Sequence, residues 1–226
     1  MNLKLKIEEI CYNIKLAQEK NNLQHPVEIV GVTKRKPFSF IQETYKAGLR
    51  AIGENRIQEA ENKFGSFEKM PGLKKRFIGH LQSNKVKKCV KLFDAIDSVS
   101  SLKTLNKIER CSQEMKKTLS ILIEINTSEE TQKHGFLPTQ KDEILQCFYH
   151  KGLVIDGLMT LGPNTSDQGH IRRSFKKLRK TKEWIESETK IKINHLSMGM
   201  SGDYKIAVEE GSTMIRVGSF LYGPRN

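Results

Sequence analysis

The sequence predicts an α/β protein, a single (β/α)8 barrel (TIM barrel) with one extra helix at its N-terminus. Three observations carry that expectation. Short β-branched or apolar runs alternate with helical patterns along the 226 residues. Strict alternation implies parallel strands joined by right-handed crossovers. The units number eight, the count that closes a barrel. Polar residues also gather just after the strands, the end at which such barrels bind ligands. A doubly wound open sheet is the competitor, and the count and the polar distribution favour closure. No repeat, low-complexity tract or Pro/Gly/Ser-rich linker divides residues 1–226, so one domain is expected.

The elements follow in order. Leu3, Ile7, Ile10, Ile14 and Ala17 recur at helical spacing and predict an amphipathic helix over 2–21. The run 27–32 (VEIVGV) reads as a strand that stops at Thr33-Lys34-Arg35-Lys36-Pro37. A helix at 38–47 ends at Gly48; a strand at 50–52 precedes a helix at 55–64. A strand at 76–78 ends at Gly79, with a helix at 84–92. A strand at 95–96 stops at Asp97-Ser98, before a helix at 100–115. The strand at 119–125 is the most apolar, and a helix at 138–148 follows it. A strand at 154–159, a long helix at 170–187, a strand at 194–198 and a short helix at 203–210 lead to the last strand, 214–217. Only that last strand lacks a clear following helix. The longest expected loops are 65–75 and 126–137.

Composition excludes several classes. At 37% hydrophobic residues the chain is rich enough to fill a core and is not generally disordered. No apolar stretch could span a bilayer. The opening MNLKLKIEEICYNIK has no uninterrupted apolar region and is not a signal peptide. Cys11, Cys89, Cys111 and Cys147 form no CxxC, and no His sits at ligand spacing from them. Reduced thiols in a cytoplasmic protein, with no metal site, are the expectation. Lys and Arg total 39 against 26 Asp and Glu, a net charge of +13 that favours phosphate-rich partners. Residues 172–182 hold seven basic residues in eleven. Ile171, Phe175, Leu178 and Ile185 form one apolar stripe beside them, so these basics belong to the solvated face of a barrel helix and nucleic acid is not an expected partner.

Chemistry concentrates at the strand ends. Lys34 ends strand one, Gly53-Glu54-Asn55-Arg56 strand two, and Gly79-His80-Leu81-Gln82-Ser83-Asn84 strand three. Asn126-Thr127-Ser128 ends strand five, and Met159-Thr160-Leu161-Gly162-Pro163 strand six. Helix caps explain some of these residues. They do not require a Lys on strand one, a His after strand three or an Arg within strand eight. Met198-Gly199-Met200-Ser201-Gly202 precedes a short helix, and Arg216-Val217-Gly218-Ser219 closes the last strand. Barrels often hold phosphate with the loops after strands seven and eight. A Lys at an enclosed site loses solvation and becomes nucleophilic, although a solvated loop lysine beside Arg35 and Lys36 is the plainer reading. A phosphate site and such a Lys in one barrel suggest a Schiff base to pyridoxal phosphate.

At these residues the chain resembles the pyridoxal phosphate homeostasis proteins, which share the barrel of the alanine racemase N-terminal domain. The landmarks are VTKRKP (32–37), IGENRIQEA (52–60), FIGHLQSNK (77–85), NTSEETQKHGF (126–136), GLMTLGP (157–163) and the long segment 196–225. The resemblance implies that Lys34 binds the cofactor, that Asn55 lies near it, and that Ser201, Gly218 and Ser219 hold its phosphate. It implies that Arg216 faces the pyridine nitrogen. His80 joins the cofactor-binding candidates, although capping a helix or bonding the loop is its plainer role. Ser219 stands where many relatives have Thr, and Thr33 where many have Ser.

The implied function is pyridoxal 5'-phosphate homeostasis by storage, buffering or delivery, without turnover. An Arg cannot accept a proton, so Arg216 would leave the pyridine nitrogen neutral and carbanion stabilisation weak. The resemblance also implies that racemases of related fold need a catalytic Tyr from a second domain, and a chain ending at Asn226 is expected to lack it. A low-activity racemase or transaminase is the alternative, with His80, Tyr204 or Tyr222 as its base. Expected partners are pyridoxal phosphate and pyridoxal-phosphate-dependent apo-enzymes. A monomer and no membrane association are expected.

Overall fold

The protein is described from a computed structural model, in residues 2–128, 130–150 and 152–223. Eight parallel strands close on themselves in chain order, with β8 pairing back onto β1. The strands are β1 (Glu28–Val32), β2 (Ala51–Glu54), β3 (Lys74–Phe77), β4 (Ala95–Val99), β5 (Ser120–Glu124), β6 (Val154–Met159), β7 (His195–Met200) and β8 (Met214–Val217). Around them run α1 (Leu3–Glu19), α2 (Phe38–Lys46), α3 (Ile57–Lys63), α4 (Val86–Leu92), α5 (Leu102–Glu114), α6 (Lys141–Phe148), α7 (Gln168–Thr189), α8 (Tyr204–Glu209) and α9 (Ser219–Tyr222). A 3₁₀ turn, Ser83–Lys85, leads into α4. The closed arrangement settles the choice between barrel and open sheet.

Val30, Ala51, Leu122, Met159 and Met214 form one buried cluster. They come from five strands on different sides of the ring, so they meet only inside it and plug it. A larger apolar layer, including Phe77, Phe93, Ile121, Phe175 and Leu196, lies between strands and helices. The extra helix α1 buries Ile7, Ile10, Ile14 and Ala17 against Tyr204, Val208 and Leu221 of α8 and α9. Full burial of each isoleucine contributes about 1.5–3 kcal/mol. Lys6 Nζ then donates to the carbonyls of Phe220 (2.6 Å) and Leu221 (2.9 Å), so α1 also pins α9.

Three expectations are corrected. Asp97 and Ser98 do not terminate a strand: β4 runs on to Val99. Asp97 is fully buried and accepts two hydrogen bonds from Arg76 of β3, at 2.8 and 3.0 Å. A charge compensated in this way can stay inside a sheet. Gly53 and Glu54 likewise belong to β2, and Gly199 and Met200 to β7. Finally, β8 is followed by a helix, the four-residue α9, too short to leave a periodic pattern. The basic segment on α7 faces outward, and two of its arginines fasten the C-terminal end of α8. Arg172 pairs with Glu209 and Glu210, and Arg179 with Glu210. Cys11, Cys89, Cys111 and Cys147 are all free thiols. No described helix is long and apolar enough to cross a membrane.

Candidate functional site

At the C-terminal ends of the strands lies a cavity of about 640 Å³. Its wall brings together all seven residues singled out from the sequence: Lys34, Asn55, His80, Ser201, Arg216, Gly218 and Ser219.

Lys34 lies half-buried in the turn after β1. The preceding Thr33 is buried; its N–H donates to the Gly53 carbonyl (3.1 Å) and its hydroxyl to Glu54 Oε1 (2.5 Å). The Lys36 N–H closes the turn onto the Thr33 carbonyl at 3.0 Å. Asn55 follows β2 directly. A Cβ on Gly79 would collide with the Asn55 carbonyl, so only glycine lets the end of β3 pass this close. The Ser98 hydroxyl donates to the Gly79 carbonyl and fixes that passage.

Across the cavity, Ser201 Oγ accepts from the N–H groups of Gly218 and Phe220, each at 3.3 Å. The β7–α8 turn is thereby joined to the start of α9. Gly199 has φ +97°, and a Cβ there would strike Ala207 and Tyr204. A Cβ on Gly202 would meet nothing within 4 Å, so the backbone beside Ser201 faces open space. Hydroxyls, backbone N–H groups and open room at this point suit an anion.

Arg216 is buried on β8, anchored by Nη1 to Ser197 Oγ (2.6 Å) and Nη2 to the Thr160 carbonyl (2.7 Å). Burial pulls its guanidinium below the ordinary value, and Asp97, Asp203 and Glu124 oppose that pull. The cavity also contains Glu124 of β5, 4% exposed, whose carboxyl burial raises from 4.5 to about 7 despite Arg216. Asp203 accepts from the Met200 N–H at 2.5 Å, and burial raises its carboxyl too. Lys133 reaches Glu130 (2.8 Å) and the Gly162 carbonyl (2.7 Å).

His80 does not cap a helix. Its ring stacks on His134, 3.6 Å between centroids and 15° between planes, joining the loops after β3 and β5 beside the cavity. Burial, and then His134, hold His80 below its ordinary value, so it favours the neutral form. Tyr204, considered as a base, is turned away: its hydroxyl meets Asn13 of α1 at 3.0 Å. Tyr222 does line the cavity, but its hydroxyl lies 2.7 Å from Thr44 Oγ1 and burial pushes it well above the ordinary value. Nothing in the sequence pattern singles out His134 for this site, and Glu124 stands out only weakly. Glu124 had left one signal, a lone charge inside the apolar run LSILIEI.

Residues 5–226 match the family model described as alanine racemase, N-terminal domain. A pyridoxal phosphate homeostasis protein of Synechocystis sp. is 37% identical over 88% of this chain and 92% of its own length. One from Vibrio alginolyticus is 34% identical over 97% of this chain and 96% of its own. The chain belongs to the pyridoxal phosphate homeostasis protein family. Among solved structures, PipY of Synechococcus elongatus with PLP bound, 32% identical, superposes with a TM-score of 0.81 over 93% of this chain and 99% of that one. An alanine racemase of Clostridium difficile shares the fold at 18% identity, TM-score 0.73, over 99% of this chain but 56% of the racemase. Members of the homeostasis family are therefore close to this chain in length, whereas the racemase extends well beyond the shared barrel.

Proposed function

We propose that this protein binds pyridoxal 5'-phosphate through Lys34 and acts in its homeostasis, holding and releasing the cofactor rather than turning over a substrate. The observation that carries this reading is one cavity with an amine-bearing turn on one side and an anion-suited cluster on the other. Its residues fit the cofactor. Ser201, Ser219 and the N–H groups around Gly202 and Gly218 suit a phosphate, and the open space at Gly202 leaves room for it. Arg216, fixed by Ser197 and Thr160, would stand at the pyridine nitrogen, with Asn55 and His80 beside the ring. Family membership and the PLP-bound relative support the same assignment.

When bound, pyridoxal phosphate supplies an aldehyde that takes up a primary amine reversibly with loss of water. Lys34 supplies that amine. Arg216 donates and cannot accept a proton, so it favours a neutral ring nitrogen and a weak electron sink. A racemase needs two acid/base groups on opposite faces of the substrate. Tyr204 is engaged with Asn13, Tyr222 with Thr44, and His80 is stacked on His134. These engagements favour a carrier. Delivery to apo-enzymes is part of the reading, and so is action as a monomer. The test is titration of the purified protein and of Lys34→Ala with pyridoxal phosphate. A new visible absorbance band in the parent, absent in the variant, is expected; equal bands in both would refute the assignment of Lys34.

A further inference from the structure

The turn that carries Lys34 is held by a buried ionic network on β2 and α3. Glu54 is fully buried, and its Oε1 receives both the Thr33 hydroxyl and Lys63 Nζ, each at 2.5 Å. Its Oε2 is buried with no hydrogen-bond partner among the described residues. The Lys63 side chain is only 7% exposed, far below a solvated lysine. From there Nζ also donates to the Thr33 carbonyl at 2.9 Å and meets Glu59 Oε1 at 3.2 Å. Glu59 in turn accepts the backbone N–H of Arg35. Thr33, before Lys34, is thus tied to Glu54 and Lys63, and Arg35, after it, to Glu59, which Lys63 joins to the other two.

The backbone shows why such ties matter. Arg35 has φ +60°, the left-handed region that side-chain-bearing residues seldom adopt. A conformation of that kind persists where the surroundings over-determine it. Burying Glu54 completely and the Lys63 side chain to 7% exposure is costly. That expense falls beneath the one turn whose geometry decides where the Lys34 amine stands.

We propose that Glu54, Lys63 and Glu59 are positioning residues for Lys34, fixing the turn so that the ε-amine meets a bound aldehyde in a reactive orientation. The proposal rests on the pyridoxal phosphate reading above. Attachment would join the amine nitrogen to the aldehyde carbon through a C=N bond, the aldehyde oxygen leaving as water with the two hydrogens of the amine. The network reaches the turn through the Thr33 hydroxyl and carbonyl and the Arg35 N–H.

Two compounds separate positioning from general damage: pyridoxal phosphate and 4-deoxypyridoxine 5'-phosphate, which has the ring and the phosphate but no aldehyde. The variants are Lys63→Met, Lys63→Arg, Glu59→Gln and the double Glu54→Gln/Lys63→Met. The double variant removes both charges together, so it leaves no unpaired Glu54 carboxylate where the single one does. Attachment is followed by stopped-flow absorbance and by borohydride trapping. In Lys63→Met, or in the double variant, the attachment rate should fall roughly tenfold to a hundredfold. Glu59→Gln should fall less, and Lys63→Arg should recover part of the loss. Affinity for 4-deoxypyridoxine phosphate should stay within about twofold of the parent. Equal losses for both compounds, or an unchanged attachment rate, would overturn the positioning role and leave the functional reading standing. A parent protein that takes up neither compound overturns both.

Discussion

Replacing Glu124 by Gln should change how stability depends on pH. Glu124 lies on β5 inside the barrel, and burial raises its carboxyl from 4.5 to about 7. A carboxyl raised on folding contributes stability that is fully present below the unfolded value. That contribution is lost as pH rises through the folded value, here between about 4.5 and 7. At about 1.4 kcal/mol per pKa unit, the penalty is about 1 kcal/mol at pH 5.5 and about 3 kcal/mol at pH 8.5. Glutamine keeps the volume and the polarity but cannot ionise. Relative to the parent, Glu124→Gln should therefore gain about 2 kcal/mol between pH 5.5 and pH 8.5. Other buried carboxyls, Glu54 and Asp203 among them, slope the same way, so the difference between the two proteins is the quantity to read. The assay is urea unfolding of the cofactor-free proteins at both pH values, with the midpoint and slope fitted together. Parallel pH profiles would refute the raised Glu124 carboxyl.

Ser201→Ala with Ser219→Ala removes two hydroxyl donors to a charged acceptor. Each such bond contributes about 1.5–3 kcal/mol, so pyridoxal phosphate affinity should fall at least about a hundredfold in the double variant; unaltered affinity would place the phosphate elsewhere. Arg76→Met strands Asp97 inside the barrel and should cost about 3–5 kcal/mol in chemical denaturation, against a small loss if the pair were dispensable. Incubation of the loaded protein with L-alanine in deuterated water should shift the visible band without catalytic α-deuterium exchange. Repeated exchange, or D-alanine formation that disappears in Lys34→Ala, would make the protein an enzyme.

The barrel was legible because eight apolar runs and the helices between them differ in period, and that contrast survives without side-chain detail. Strand ends were legible less often. Asp97 reads as a stop, yet Arg76, a distant residue on the neighbouring strand, makes it an interior position. The cavity's Lys34, Asn55, Ser201, Arg216, Gly218 and Ser219 lie at or just after strand ends, so topology alone gathers them. Glu124 depends on which face of β5 turns inward, and His134 on how the long loop after β5 folds back through the Ile125–Phe136 bridge. Lys63 was hidden for another reason. It lies four residues from Glu59, the spacing of an ordinary surface ion pair, and nothing local distinguishes a buried lysine from a solvated one.

The central claim is that Lys34, and not its neighbour two residues on, carries the cofactor. Lys34 and Lys36 both line the cavity, and direct mapping tells them apart. The purified protein should be incubated with pyridoxal phosphate, reduced with borohydride, digested and sequenced by mass spectrometry. The account predicts a single stoichiometric pyridoxyl phosphate adduct on Lys34. An adduct on Lys36, label scattered over surface lysines, or no label at all would contradict it.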